Sequence, residues 1–126
     1  MNLREIAKIL DAEILAGQDR LDMEVGTAFG ADLMSDVLAF AKAGSILLTG
    51  LTNPQVLRTA AVLDIAAIVI VRGKRPSAET LTLAQEIGMP ILATKYILFE
   101  SAGRLYREGI VGCVVKVEGE MAGRSA

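Results

Sequence analysis

The polar side chains of this chain that could do chemistry lie in three short stretches, each directly after an apolar run. They are Thr-Gly-Leu-Thr-Asn at residues 49–53, Arg-Gly-Lys-Arg at residues 72–75 and Thr-Lys-Tyr at residues 94–96. Four of the 13 Lys and Arg residues fall in them, and basic side chains and helix N-termini both attract anions. The pattern predicts an anionic ligand, such as a nucleotide or a phosphorylated metabolite. The candidate binding residues are Thr49, Gly50, Thr52, Asn53, Arg72, Gly73, Lys74, Arg75, Thr94 and Lys95.

A simpler explanation of the same residues stays open. Loops that follow strands are exposed to solvent, and exposed loops are often rich in Lys and Arg for solubility. Residues 49–54 would then form only a well-capped turn before a helix.

The residue types that several common catalytic sites need are missing. The chain has no histidine, which excludes an imidazole base and a histidine-ligated metal, and it has one cysteine. Cys113 lies in an apolar run, so we expect a buried small hydrophobe rather than a nucleophile. Asp32 and Asp36 have the spacing of a metal pair, but acids near a helix start more often serve the helix itself. Neither a Walker loop nor a G-x-G-x-x-G motif occurs, and we expect no metal and no cofactor.

The elements that would hold the first two stretches form a strand–helix–strand unit over residues 44–73. Ile46 to Leu48 and Ile68 to Val71 are apolar runs without polar alternation, which is typical of strands covered on both faces. Between them, Asn53 is a good N-cap and Pro54 suits the first helical position. Such a unit is a right-handed crossover between parallel strands. We expect its core to include Leu48, Val69 and Ile70.

The rest of the chain continues the same alternation. We expect a helix over residues 3–10 with Asn2 and Glu5 as a capping box, then strands at residues 12–16 and 25–31. Asp32 is predicted to cap a helix that carries Leu33, Val37, Phe40 and Ala41 and that stops at Gly44. Ser77 should cap a helix with Leu81, Ala84 and Ile87 inward, ended by Gly88 and followed by a strand at residues 91–93. Thr94 should cap a last helix with Leu98, Ala102 and Leu105 inward, and a strand is expected at residues 113–117.

This order predicts an α/β fold, a three-layer α/β/α domain with a mostly parallel sheet and about five helices. We expect one domain over residues 1–112, with residues 113–126 as a C-terminal strand or a mobile tail.

The longest apolar run, residues 65–71, is far shorter than the ~20 residues that span a bilayer. No secretory signal pattern opens the chain, and a single cysteine fits a reducing compartment, so we expect a cytoplasmic protein without membrane contact. A net charge of −2 argues against nucleic-acid binding.

Three pieces of the chain resemble the DRTGG domain family. They are AFGADLMSDVLAFAKAGSILLTGLTNPQVLRTA, IVIVRGKRP and TKYILFESAGRLY, and the resemblance covers roughly residues 2–110. It implies an α/β/α domain similar to the N-terminal domain of HPr kinase/phosphorylase. Related copies stand beside cystathionine-β-synthase-type regulatory domains and within long phosphotransacetylases, which implies a regulatory or small-molecule-sensing role.

The chain departs from the family at the motif that names it. Relatives carry Gly-Asp-Arg-Thr after the strand that ends here at Thr49, whereas this chain has Gly50, Leu51, Thr52 and Asn53. The glycine is kept and the acid–base pair is replaced. Any role of that Asp and Arg cannot be transferred to this chain, although the turn itself should survive.

The sequence therefore favours a non-catalytic regulatory or ligand-sensing domain. An assembly module that works by dimerising is the alternative, and an enzyme acting on a phosphorylated substrate is a weaker one. The chain is 52% apolar and only 22% charged, so exposed apolar surface and a homodimer are expected. Ile97, Phe99, Tyr106 and Phe29 are candidates for that surface. A regulatory protein partner is a further option that the sequence leaves open.

Overall fold

A computed structural model of the chain describes residues 1–118, which form five helices and six strands. The helices are α1 (Leu3–Ile9), α2 (Met34–Phe40), α3 (Pro54–Val62), α4 (Ala78–Ile87) and α5 (Leu98–Arg107). The strands are β1 (Glu13–Ala16), β2 (Thr27–Gly30), β3 (Ile46–Thr49), β4 (Ala67–Ile70), β5 (Ile91–Ala93) and β6 (Val111–Gly112). A single 3₁₀ turn, Gln18–Arg20, follows β1. No helix in residues 1–118 has the length and hydropathy needed to cross a membrane.

All six strands belong to one sheet in the order β1-β5-β4-β3-β2-β6. Every pairing is parallel except that of β1, which runs antiparallel to β5 at one edge. The strands β3, β4 and β5 lie in the interior of the sheet and are buried at every residue. Burial on both faces is why their sequences are unbroken apolar runs. The predicted α/β fold with a mostly parallel sheet is confirmed.

Two apolar clusters fill the spaces on either side of the sheet. Alternate strand residues point to opposite faces, so Leu48 and Val69 meet α1 and α5 while Leu47 and Ile68 meet α2, α3 and α4. The result is three layers, with two helices on one face and three on the other. The predicted core residues Leu48, Val69 and Ile70 are buried, but Leu98 is only half-buried at the border of its cluster.

Several predicted helix ends are confirmed by hydrogen bonds. The Asn2 side chain accepts from the Glu5 N–H while Glu5 accepts from the Asn2 N–H, which completes a capping box. Asn53 and Ser77 cap α3 and α4 in the same manner, each with its side-chain oxygen 3.2 Å from a backbone nitrogen in the first turn. Gly88 ends α4 in the left-handed conformation.

The predicted ends of α2 are wrong. The helix starts at Met34 with Leu33 as its N-cap and without a side-chain cap, because the Asp32 carboxylate binds the end of β3 instead. It ends at Phe40, before Gly44, whose N–H donates to the Asp64 carbonyl at 2.9 Å in the connection to β3. Leu33, predicted to lie within the helix, is exposed at its N-cap.

The start of α5 is also wrong. Ile97 is its N-cap, while the Thr94 hydroxyl donates to the Leu10 carbonyl at 2.7 Å and ties the β5 loop to the end of α1. Two residues predicted to point inward, Ala102 on α5 and Ile87 on α4, are exposed because each lies at the border of its helix's buried face.

The C-terminal strand lies earlier than predicted. It is Val111–Gly112, which pairs with β2, and residues 113–118 form no regular element. Cys113 is half-buried, with its Sγ atom 3.8 Å from the Phe40 carbonyl oxygen. Residues 119–126, most of the segment predicted to be a mobile tail, lie outside the described residues.

Candidate functional site

The loops after β3, β4 and β5 form one continuous edge, because these strands are neighbours and run parallel. Backbone hydrogen bonds of 2.9 Å join them: the Val71 N–H donates to the Thr49 carbonyl and the Gly73 N–H to the Thr94 carbonyl. In open α/β sheets, ligands bind outside this carboxyl edge. The three polar stretches therefore lie where such a fold binds small molecules.

A cleft of about 340 Å³ opens at this edge, between the loops after β4 and β5 on one side and the end of α1 and the start of β1 on the other. It contains five of the ten candidate binding residues. These are Gly73, Lys74, Arg75, Thr94 and Lys95. The remaining walls come from Leu10, Asp11, Glu13, Ala93 and Tyr96.

Charges of both signs line the cleft, and one pair of them is joined. The Arg75 guanidinium donates to both carboxylate oxygens of Glu13, with N···O distances of 3.0 and 3.2 Å. These hydrogen bonds and the charge of Arg75 hold the pKa of Glu13 below its ordinary value, and the same hydrogen bonds and the charge of Glu13 raise the pKa of Arg75. Lys74 and Lys95 form no ion pair with any other residue of the range 1–118. The cleft thus has two cationic side chains that form no ion pair within the described part of the chain.

The turn after β4 determines where these basic side chains lie. Arg72 and Gly73 both adopt the left-handed conformation, with φ of 65° and 70°. For a non-glycine residue this region costs roughly 1–2 kcal/mol. The Arg72 N–H donates to the Tyr96 carbonyl at 2.9 Å, which holds the turn against the β5 loop. The turn therefore reverses the direction of the chain beside the β5 loop, and Lys74 and Arg75 lie in the cleft.

The other five candidate residues lie outside this cleft: Thr49 ends β3, Gly50, Thr52 and Asn53 follow it, and Arg72 follows β4. The Asp32 carboxylate accepts from the Gly50 N–H at 2.7 Å and from the buried Thr49 hydroxyl at 3.2 Å. The guanidinium of Arg72 lies directly over Gly50, where a Cβ atom would overlap its Nη2. Asn53 caps α3, and the Thr52 carbonyl accepts from the Thr80 hydroxyl at 2.8 Å. Most polar groups of the β3 loop are thus used within the fold.

Sequence reasoning missed three cleft residues, namely Leu10, Asp11 and Glu13. They enter because β1 is antiparallel: Glu13, at its first position, pairs with Ala93, at the last position of β5. Knowledge of that strand direction would have located Glu13, since an antiparallel neighbour begins at the carboxyl edge of the parallel strands. Tyr96 was noted in its loop, and Arg104 packs over its ring at 4.1 Å from the centroid, which fixes the ring beside the cleft.

A second concavity, of about 480 Å³, is an apolar groove between α5 and the β2–β6 edge of the sheet. Phe29, Leu48, Ala102, Tyr106 and Val115 are among its lining residues. Beside it, the outer face of α5 carries Phe99 and Tyr106, which are 84% and 70% exposed.

The described residues offer little for covalent or metal chemistry. No group of three or more Cys, Asp or Glu side chains within residues 1–118 could hold a metal ion. The buried hydroxyls of Thr49 and Thr94 both donate to oxygen atoms of the fold itself. The carboxyl edge instead has a cleft lined by Lys74 and Lys95, which form no ion pair within residues 1–118.

A mostly parallel sheet between two layers of helices, with a cleft at its carboxyl edge, defines the chain as a three-layer α/β domain. The family model of the DRTGG domain matches residues 5–107, and the chain belongs to this family.

Among solved structures, the fold is similar to one described as the CBS and DRTGG domains of the regulatory region of Clostridium perfringens pyrophosphatase, complexed with the activator diadenosine tetraphosphate. The TM-score is 0.69 at 20% sequence identity, over 82% of this chain and 45% of that one. The chain thus corresponds to less than half of that region, and the similarity shows a shared fold. No curated protein matches the chain in sequence.

Proposed function

We propose that this chain is a non-catalytic regulatory domain that senses an anionic small molecule, a nucleotide or a phosphorylated metabolite, in the cleft at the carboxyl edge of its sheet. The observation that carries the proposal is the pair of unneutralised cations, Lys74 and Lys95. They come from two different loops and line the same cleft. Cations from two different loops that line one cleft can bind the same anion from two sides.

The size and composition of the cleft support this function. Small-molecule sites usually occupy about 300–1,000 Å³ and combine apolar walls with a few polar groups. The cleft lies within that range, with Leu10 and Ala93 as apolar walls and the Lys74, Arg75 and Lys95 side chains as polar ones. A regulatory region with a similar fold has been crystallised with a nucleotide activator, which agrees with a ligand of this class.

The cleft does not favour an enzyme. Arg75 lowers the pKa of Glu13, but the two side chains are exposed and form an ion pair with each other. The nearby Thr94 hydroxyl donates to Leu10 and lacks a base that could activate it. These residues are better suited to binding a ligand and responding with a structural change than to catalysis.

Isothermal titration with ATP, ADP, AMP and a set of sugar phosphates tests the proposal. At least one should bind the wild type, and Lys74→Ala/Lys95→Ala should weaken that binding by about ten-fold or more, since each lost charge contact is worth about 1 kcal/mol. The matched control is Lys42→Ala/Lys116→Ala, which removes the same charge at two exposed lysines outside the cleft. It should bind within about two-fold of the wild type. No binding of any compound, or an equal loss in both double variants, would reject the proposed site.

The outer face of α5 supports a second candidate, an assembly module that dimerises. Phe99, Ala102, Gly103 and Tyr106 are all exposed and have i, i+3, i+4, i+7 spacing, so they form one stripe. Two small residues between two aromatic ones form a surface that a second copy can match under two-fold symmetry. The stripe is continuous with the apolar groove through Ala102 and Tyr106. This role is compatible with ligand sensing, because the two surfaces use different residues.

A further inference from the structure

The strongest polar contact in the cleft joins two of its own walls. Arg75 belongs to the loop after β4 and Glu13 opens β1, so the pair bridges elements that are 62 residues apart in sequence. The Nη1 atom donates to Oε1 at 3.2 Å and the Nη2 atom to Oε2 at 3.0 Å. This two-point geometry is how an arginine binds a carboxylate or a phosphate group of a ligand.

Arg75 therefore differs from the other two cations of the cleft. Lys74 and Lys95 have no ion-pair partner within residues 1–118, whereas the guanidinium of Arg75 already holds an anion. Both members of the pair are exposed, at 60% and 61% of their side-chain surface. Water and salt can reach such a pair, and its net stabilisation is small, so an incoming anion can displace Glu13.

We propose that Glu13 is an internal competitor for the ligand: its carboxylate occupies on Arg75 the position that a phosphate group of the bound molecule takes over. This inference rests on the proposed function and adds to it a residue that sets affinity. Lys74 and Lys95 attract the anion first, and the exchange on Arg75 then follows. Displacement frees the first residue of β1, an edge strand, so ligand occupancy is transmitted to one edge of the sheet.

The test compares Glu13→Gln with Asp22→Asn, using ATP and inorganic pyrophosphate as probes in calorimetric titrations at neutral pH and low salt. Asp22 pairs with Arg4 at 3.2 Å in an exposed setting outside the cleft, so this control removes the same charge and an exposed ion pair. Glu13→Gln should bind the probes about three- to ten-fold more tightly, because the carboxylate that competes for Arg75 is lost. Asp22→Asn should stay within about two-fold of the wild type.

A second pair of variants tests whether the gain in affinity depends on Arg75. Glu13→Gln introduced into Arg75→Gln should change affinity by less than about two-fold, because the guanidinium for which Glu13 competes is gone. A wild type that binds while Glu13→Gln binds equally or more weakly would overturn the inference and leave the proposed function intact. Equal gains in Glu13→Gln and Asp22→Asn, or a gain that persists without Arg75, would also overturn it. If no variant binds either probe, the inference and the phosphate-binding function fail together.

Discussion

Glu13 and Arg75 make the stability of the domain depend on pH in a predictable direction. Hydrogen bonds from Arg75 and its charge lower the pKa of Glu13 in the folded chain below its ordinary value of 4.5. A lowered folded-state pKa gives a stabilisation that is complete above the unfolded pKa and is lost as pH falls through the folded one. Wild type should therefore be slightly more stable than Glu13→Gln at neutral pH, and this difference should disappear in acid. Urea midpoints of both proteins from neutral to acidic pH measure it, and a gap that widens in acid would contradict the assignment.

Asn53 is the residue whose removal should most directly weaken a helix start. Its side-chain oxygen accepts from the Val56 N–H at 3.2 Å, and Pro54 follows at the first helical position. Asn53→Ala should lower the free energy of unfolding by about 1 kcal/mol, since an N–H of the first turn loses its partner. Urea denaturation measures the change, with Gln55→Ala, an exposed position in the same turn, as the control. A loss below about 0.3 kcal/mol would show that the cap adds nothing to stability.

Polar residues of the loops show what a sequence can and cannot reveal about a site. The caps Asn2, Asn53 and Ser77 were predictable because each bonds a backbone N–H three residues away. Asp32 and Thr94 were predicted to cap helices in the same way, yet they bond residues 18 and 84 positions away. Their choice of partner depends on which loops the sheet brings together, and local spacing does not contain that information.

At the scale of elements, β4 is the strand on which the core depends most. It pairs with β3 on one side and β5 on the other, and Val69 at its centre is 0% exposed. Val69→Ala should cost about 1–3 kcal/mol, through lost burial and a cavity between the sheet and α1. Val62→Ala on α3, where the side chain is 79% exposed, removes the same atoms and should cost less than about 0.5 kcal/mol. Equal denaturation midpoints for the two variants would contradict this burial.

The sequence was sufficient to predict the crossover unit of β3, α3 and β4, but it did not predict the direction of β1. Apolar runs, caps and glycines identify β3, α3 and β4 because each signal belongs to its own element. Strand β1 is short and half-buried, and nothing in its four residues distinguishes a parallel from an antiparallel neighbour. That direction brings Glu13 into the cleft, so the acidic wall of the site could not be predicted while the direction of this edge strand was unknown.

At the scale of the whole molecule, the proposed ligand cleft and the exposed apolar surface of α5 lie at separate places. The cleft is bounded by α1, β1 and the loops after β4 and β5, whereas the apolar groove lies between α5 and the β2–β6 edge. Large exposed apolar patches usually mark interfaces. A second copy could therefore bind along α5 without closing the cleft.

Self-association through α5 is the prediction that concerns the molecule as a whole. In an antiparallel pair of α5 helices, Ala102 and Gly103 let the backbones approach, and Phe99 of one copy faces Tyr106 of the other. Light scattering at micromolar concentration should give about twice the 13.3 kDa of one chain. Phe99→Lys/Tyr106→Lys should return the mass to that of one chain, because two like charges would enter the contact. Val62→Lys, on the opposite layer of helices, should leave the dimer intact. A wild-type mass of one chain throughout, or dissociation by the α3 variant alone, would rule out this interface.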